Sequence, residues 1–79
     1  MRPSLRDGAR VLVRWGAPAR AGAVVVASFP GRPDVLVVKR AVRPQGALWW
    51  VEGDDARASD DSRVHGPARV LGRVVWPRR

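Results

Sequence analysis

Short apolar runs, each closed by proline or glycine, divide the chain. Ala9 to Trp15 alternates, with Val11 and Val13 on one side and Arg10, Leu12 and Arg14 on the other, which predicts a strand. Ala23 to Phe29 (AVVVASF) is dense in β-branched residues and predicts a second strand. Pro30-Gly31-Arg32-Pro33 predicts a tight connection, because Pro-Gly favours a turn. Asp34 to Arg43 predicts a third strand. After the turn Pro44-Gln45-Gly46, Ala47 to Glu52 predicts a fourth that pairs with the third as a hairpin. Gly53 to Gly66 (GDDARASDDSRVHG) is the longest irregular stretch, and its Asp, Ser and Gly content suits local side-chain-to-backbone hydrogen bonds. Pro67 to Trp76 predicts a last strand, bent or bulged at Gly72. There is no repeat, amphipathic helix or interdomain linker. The pattern predicts one all-β domain over residues 1–79, a small barrel or folded sheet.

The third run carries the candidate chemistry. Asp34 to Val42 (DVLVVKRAV) reads as a buried strand interrupted by Lys39. Basic residues are otherwise all arginine, fourteen against one lysine. A lone lysine in that background suggests a site that needs an amine, since arginine does not lose its proton in a protein and a buried lysine can be tuned towards neutrality. Alternation places Val35, Val37, Lys39 and Ala41 on one face and Leu36, Val38, Arg40 and Val42 on the other. Apolar neighbours on the Lys39 face would favour the neutral amine that a general base requires. The competing reading is a lysine at a strand end, its stem packed and its head in water.

Composition narrows the functional classes. There is no cysteine, so neither a disulfide framework nor thiol catalysis is expected, and the single His65 cannot build a zinc site alone. No apolar run reaches the roughly 18 residues of a membrane span, and no leading apolar run marks a signal peptide. A soluble chain is expected, cytoplasmic or peripheral to the cytoplasmic membrane. The net charge of +8 is unevenly spread. Residues 1–51 hold nine basic groups and two acids, residues 52–61 five acids and Arg57, and residues 62–79 five arginines and no acid. A basic body with one acidic loop could attract nucleic acid, an anionic membrane surface or an acidic partner. Few aromatic residues are present and no tyrosine, so a base-stacking platform is not expected. The acidic loop lacks the glycine and terminal glutamate of a calcium loop, and no metal is expected there.

Three segments, in order, resemble the type I signal peptidase family, the wider group that includes the repressor-type peptidases (S24/S26). The first resembles the box around the nucleophile, Ser-Met-x-Pro-Thr-Leu-x-x-Gly-Asp. Met1, Pro3, Leu5 and Gly8 match it, with Ser4 in place of Thr and Ala9 in place of Asp. The second resembles the box of the general-base lysine followed by arginine, matched by Lys39 and Arg40. The third resembles Gly-Asp-Asn-x-x-x-Ser-x-Asp-Ser-Arg-x-x-Gly. Gly53, Asp54, Ser59, Asp61, Ser62, Arg63 and Gly66 match it, with Asp55 in place of Asn. The first two boxes are weak alone; the third, with seven matches at fixed spacing, is strong. The short form is most similar to the nickel-type superoxide dismutase maturation proteases.

The resemblance implies an all-β serine endopeptidase with a Ser–Lys dyad, removing an N-terminal extension from a precursor such as that of nickel superoxide dismutase. Lys39 would be the general base and Ser59 would orient it. Arg40, Gly53, Asp54, Asp61, Ser62 and Arg63 would support the site, through pairs such as Asp61 with Arg63 and Asp54 with Arg40. Met1 and Pro3 would contact substrate. No cofactor is implied. The substrate would lie extended along a sheet edge, either Ala23 to Phe29 or the strand holding Lys39. A monomer is expected. Trp49 and Trp50 point to opposite faces, one expected in the core. One departure stands out: the family's nucleophile precedes the Met that is residue 1 here. The expected start then lies upstream, or Ser4 serves as a substitute nucleophile, or the protein is an inactive relative. A basic β-barrel that binds nucleic acid is the alternative outside the family.

Overall fold

The structure is a computed structural model that describes residues 11–54 and 60–76. Met1, Pro3, Ser4 and Ser59 lie outside the described residues. The strands are β1 (Leu12–Trp15), β2 (Val24–Phe29), β3 (Arg32–Gln45), β4 (Leu48–Glu52) and β5 (Arg69–Trp76), with a single helical turn α1 (Ser62–His65) before β5. They form one antiparallel sheet in the order β1-β5-β2-β3-β4. The sheet curls back on itself. Trp49 and Ala68 exchange backbone hydrogen bonds of 2.8 and 2.7 Å, which ties β4 to the stretch just before β5. The folded all-β sheet read from the sequence is therefore the architecture found.

Alternation decides what is buried. Val25, Ala27 and Phe29 of β2 point inward with Ala41, Val51 and Ala68, and Val37, Trp49 and Val70 pack against them. Trp49 is thus the core indole. Trp50 faces out, donating from Nε1 to Glu52 at 2.8 Å, with the Arg43 guanidinium 4.9 Å from its ring centre. A bulge explains that stack. Ala41 pairs with Val51 but Arg43 with Trp50, so Val42 is the extra residue and Arg43 swings to the outer face. A second shift opposite Leu71 lies beside Gly72, where the sequence predicts a bend. Gly72 has a separate reason to be glycine. A Cβ there would stand 2.9 Å from the Arg14 carbonyl oxygen and 2.9 Å from Val13, so β1 could not dock against β5.

Three expectations are corrected. The run 34–42 is not buried along its length: Val35, Leu36 and Val38 are exposed, Val37 and Lys39 are partly buried, and full burial is reached only at Ala41, where β4 has joined. The strand also starts earlier, because the turn uses only Pro30 and Gly31 and β3 begins at Arg32. β2 is not an edge, since β5 and β3 flank it.

Trp15 pairs with Gly72, Gly72 with Val26 and Val26 with Val38, so these residues share the outer side of the sheet, where Val26 is buried and Trp15, Leu36 and Val38 are exposed. Leu12 pairs with Trp76 across a register shift and lies on the other side of β1 from Trp15. Leu12, Trp15, Trp76 and Leu36 are each more than half exposed. The charged residues of β1 and β5 are all arginines: Arg14, Arg69 and Arg73.

Candidate peptidase site

The acidic loop leaves β4 at Gly53 and returns at Asp61, and the two ends are bound together. Asp61 is completely buried. Its carboxylate accepts the Gly53 N–H at 2.7 Å and the Arg63 N–H at 3.0 Å, and it pairs with the Arg63 guanidinium at 3.1 and 2.7 Å. Asp61 is also the N-cap of α1. The pairing of Asp61 with Arg63 is as expected, but it is made by a helical turn and not by an extended segment. Ser62, buried beside it, accepts the Val51 N–H through its hydroxyl at 2.8 Å. Gly66 ends the turn at φ +79°, a conformation glycine adopts without strain, and its N–H closes on Ser62 O. Four matched positions of the third segment thus form one clip: Gly53, Asp61, Ser62 and Arg63. The hydrogen bond that the guanidinium donates to Asp61 raises the Arg63 pKa against some desolvation.

Arg40 and Asp54 form a second support. The guanidinium donates from Nε and NH2 to the two Asp54 oxygens at 3.0 Å each, and from NH1 to Gly22 O at 2.9 Å. The hydrogen bond to Asp54 raises the Arg40 pKa. This bidentate pair joins β3, the turn before β2 and the loop after β4. It lines a shallow cleft with Gly22, Val42, Glu52 and Gly53.

Lys39 lies on the other side of β3 from Arg40. It pairs with Val25, which is fully buried, and shares the core-facing side with Val37 and Ala41. Lys39 itself is half-buried. Among the described residues its amine has no hydrogen-bond or ion-pair partner. The apolar environment comes from Val25, Val37 and Ala41, with Val35 too exposed to contribute as the sequence pattern suggested. The last ladder pair of β3 and β4 is Arg40 with Glu52, so Lys39 is the first residue of β3 past that ladder, and the clip holds Gly53 where β4 ends. Alternation could be read from the sequence; the point at which the β4 ladder stops could not.

Sequence reasoning missed one cluster. His65 stacks on Phe29 and bonds Asp60, and Asp60 also bonds Arg32. A single histidine at the end of a polar loop gives no pattern from which to predict this. Among the described residues no three His, Asp or Glu side chains converge as a metal site requires. No helix among them is long and apolar enough to cross a membrane.

No family profile matches the chain, and no solved structure matches it. Among curated proteins, the mitochondrial inner membrane protease subunit 1 of Xenopus tropicalis is 31% identical over 83 aligned positions, covering 71% of this chain and 49% of that protein. The chain spans about half the length of the curated relative it matches. The described fold is thus a small folded β-sheet, and the chain that forms it is similar in sequence to a protease.

Proposed function

We propose that the chain is the catalytic β-domain of a serine endopeptidase in which Lys39 is the general base. One observation carries this reading: half-buried Lys39 sits on the core-facing side of β3 at the first position past the β4 ladder, and the buried Asp61 clip fixes Gly53 where β4 ends. A neutral amine can take the proton of a serine hydroxyl, as histidine does in a triad. An uncharged neighbour suits such an amine, because a carboxylate beside it would keep it protonated. Ser59, two residues before Asp61, is the proposed orienting hydroxyl. The proposed nucleophile is a serine immediately before Met1, with Ser4 as its substitute. Met1 and Pro3 are proposed to touch substrate.

The N-terminal half of β3 is the proposed edge for an extended substrate. Among the described residues it has no ladder partner on its β4 side between residues 34 and 39, and that stretch runs directly to Lys39. A peptide adding there would form main-chain hydrogen bonds next to the amine. The substrate class is a precursor with a removable N-terminal extension, with the nickel superoxide dismutase precursor as the first candidate.

The test compares two chains, residues 1–79 and the same chain preceded by its in-frame upstream residues. Each is incubated with that precursor and a peptide library, and products are read by mass spectrometry. Cleavage by the longer chain alone supports an upstream nucleophile. Cleavage by both assigns the role to Ser4. If neither cleaves anything, the reading is wrong and the fold serves binding.

The exposed Trp15 and Trp76 indoles fit peripheral contact with a bilayer, in the interface of which indoles are favoured. Wild-type protein should sediment with phosphatidylglycerol vesicles, and a Trp15→Ser, Trp76→Ser double variant should remain in the supernatant. Equal partitioning of the two would remove the membrane from the proposal.

A further inference from the structure

His65 has no part in the chemistry above, yet it occupies a junction. It ends α1, and its ring lies over Phe29 with centroids 4.8 Å apart and planes tilted by 37°. Phe29 belongs to the core, so the imidazole covers part of that core while its Nε2 reaches outward to the Asp60 carboxylate. The other Asp60 oxygen accepts from Arg32 at 3.3 Å. Arg32 is the first residue of β3 and pairs with Phe29 across the hairpin turn. Two elements therefore converge on one carboxylate, and that carboxylate precedes Asp61, the buried centre of the clip. The Asp60 carboxyl is held below its usual range, first by the hydrogen bond to His65 and further by the charges of His65 and Arg32.

We propose that His65 is a positioning residue. Through its ring on Phe29 and its bond to Asp60, which also takes Arg32, it fastens the Asp61–Ser62–Arg63 clip to the β2–β3 hairpin. Among the described residues Asp60 and Arg32 face it, Arg63 on its own turn is engaged by Asp61, and Glu52 of β4, against which the turn packs, acts on Arg63. The consequence for catalysis rests on the peptidase reading, because the clip holds Gly53 just past the end of the β4 ladder, next to which Lys39 lies.

Amide hydrogen exchange at Gly53, whose N–H is held by Asp61, reads the fastening without any cleavage. His65→Phe keeps a ring over Phe29 and removes the bond to Asp60; its Gly53 protection, corrected for intrinsic rate, should fall by about threefold to tenfold from wild type. Asp60→Asn, at an exposed position, should behave the same way with His65 intact. In a chain that cleaves, His65→Phe should lower kcat and leave KM unchanged. Wild-type protection at Gly53 in both variants would overturn the role of His65, whatever the outcome of the cleavage assay. Loss in the exchange assay with no cleavage by any chain would keep the fastening and reject the peptidase reading.

Discussion

Replacing Asp61 by alanine should lower stability by about 3 to 5 kcal/mol, a large part of what a domain of this size possesses. The carboxylate is fully buried and accepts two backbone N–H groups, from Gly53 and Arg63, besides pairing with the Arg63 side chain. Hydrogen bonds to a buried charge contribute about 1.5 to 3 kcal/mol each, and an alanine leaves the Gly53 donor without its acceptor. The Arg63 guanidinium adds less, because it is partly in water. The cap of α1 is lost as well, and with it the geometry that brings Ser62 under Val51. Asp61→Asn retains one acceptor oxygen and should fall between alanine and wild type. The contrast is Asp54→Ala. Asp54 is largely exposed although its pair with Arg40 has ideal bidentate geometry, so its removal should cost under about 1 kcal/mol. Urea unfolding of the three variants decides the matter. A cost for Asp61→Ala no larger than for Asp54→Ala would mean that the clip does not hold the loop.

The strands were legible in the sequence because alternation and β-branched runs report directly on half-buried sheet. Ala23 to Phe29 and Ala47 to Glu52 fall within a residue of β2 and β4 at their starts and match them at their ends. The extent of β3 was not legible. An apolar run such as DVLVV looks buried whatever covers it, and only the length of β4 reveals that, among the described residues, β3 has no partner on its β4 side before Arg40. The Val42 bulge was equally invisible, since one extra residue leaves no mark in the local pattern but moves Arg43 onto Trp50. For the candidate site, the spacing Asp-Ser-Arg indicated a structural group, and each member proved to bond where the loop needs closing. What spacing could not supply was the partner of each bond. Gly53 and Val51 lie eight and eleven residues from theirs. His65 shows the same limit, because its partners Phe29 and Arg32 come from a distant hairpin.

Lys39→Met, made in a chain that cleaves, should reduce kcat by about four to six powers of ten while leaving the fold intact. The size follows from the role. Without a base the serine hydroxyl keeps its proton, and only binding and oxyanion stabilisation remain. The fold should survive because Lys39 presents its stem to Val25 on the core-facing side, and methionine covers the same surface with an adaptable thioether. The melting temperature should stay within roughly 5 °C of wild type, since no hydrogen bond or ion pair of the amine among the described residues is lost. Lys39→Arg is the sharper variant. It keeps the positive charge and the stem, so a lysine present only for charge would tolerate it, whereas a general base would not, since arginine stays protonated. Ser59→Ala should lose only part of the rate, because an orienting hydroxyl can be removed without removing the amine. Steady-state kinetics with circular dichroism on the same samples separates these outcomes. Substantial cleavage by Lys39→Met would end the dyad, and full loss in Ser59→Ala with an intact fold would move Ser59 from orientation to direct participation.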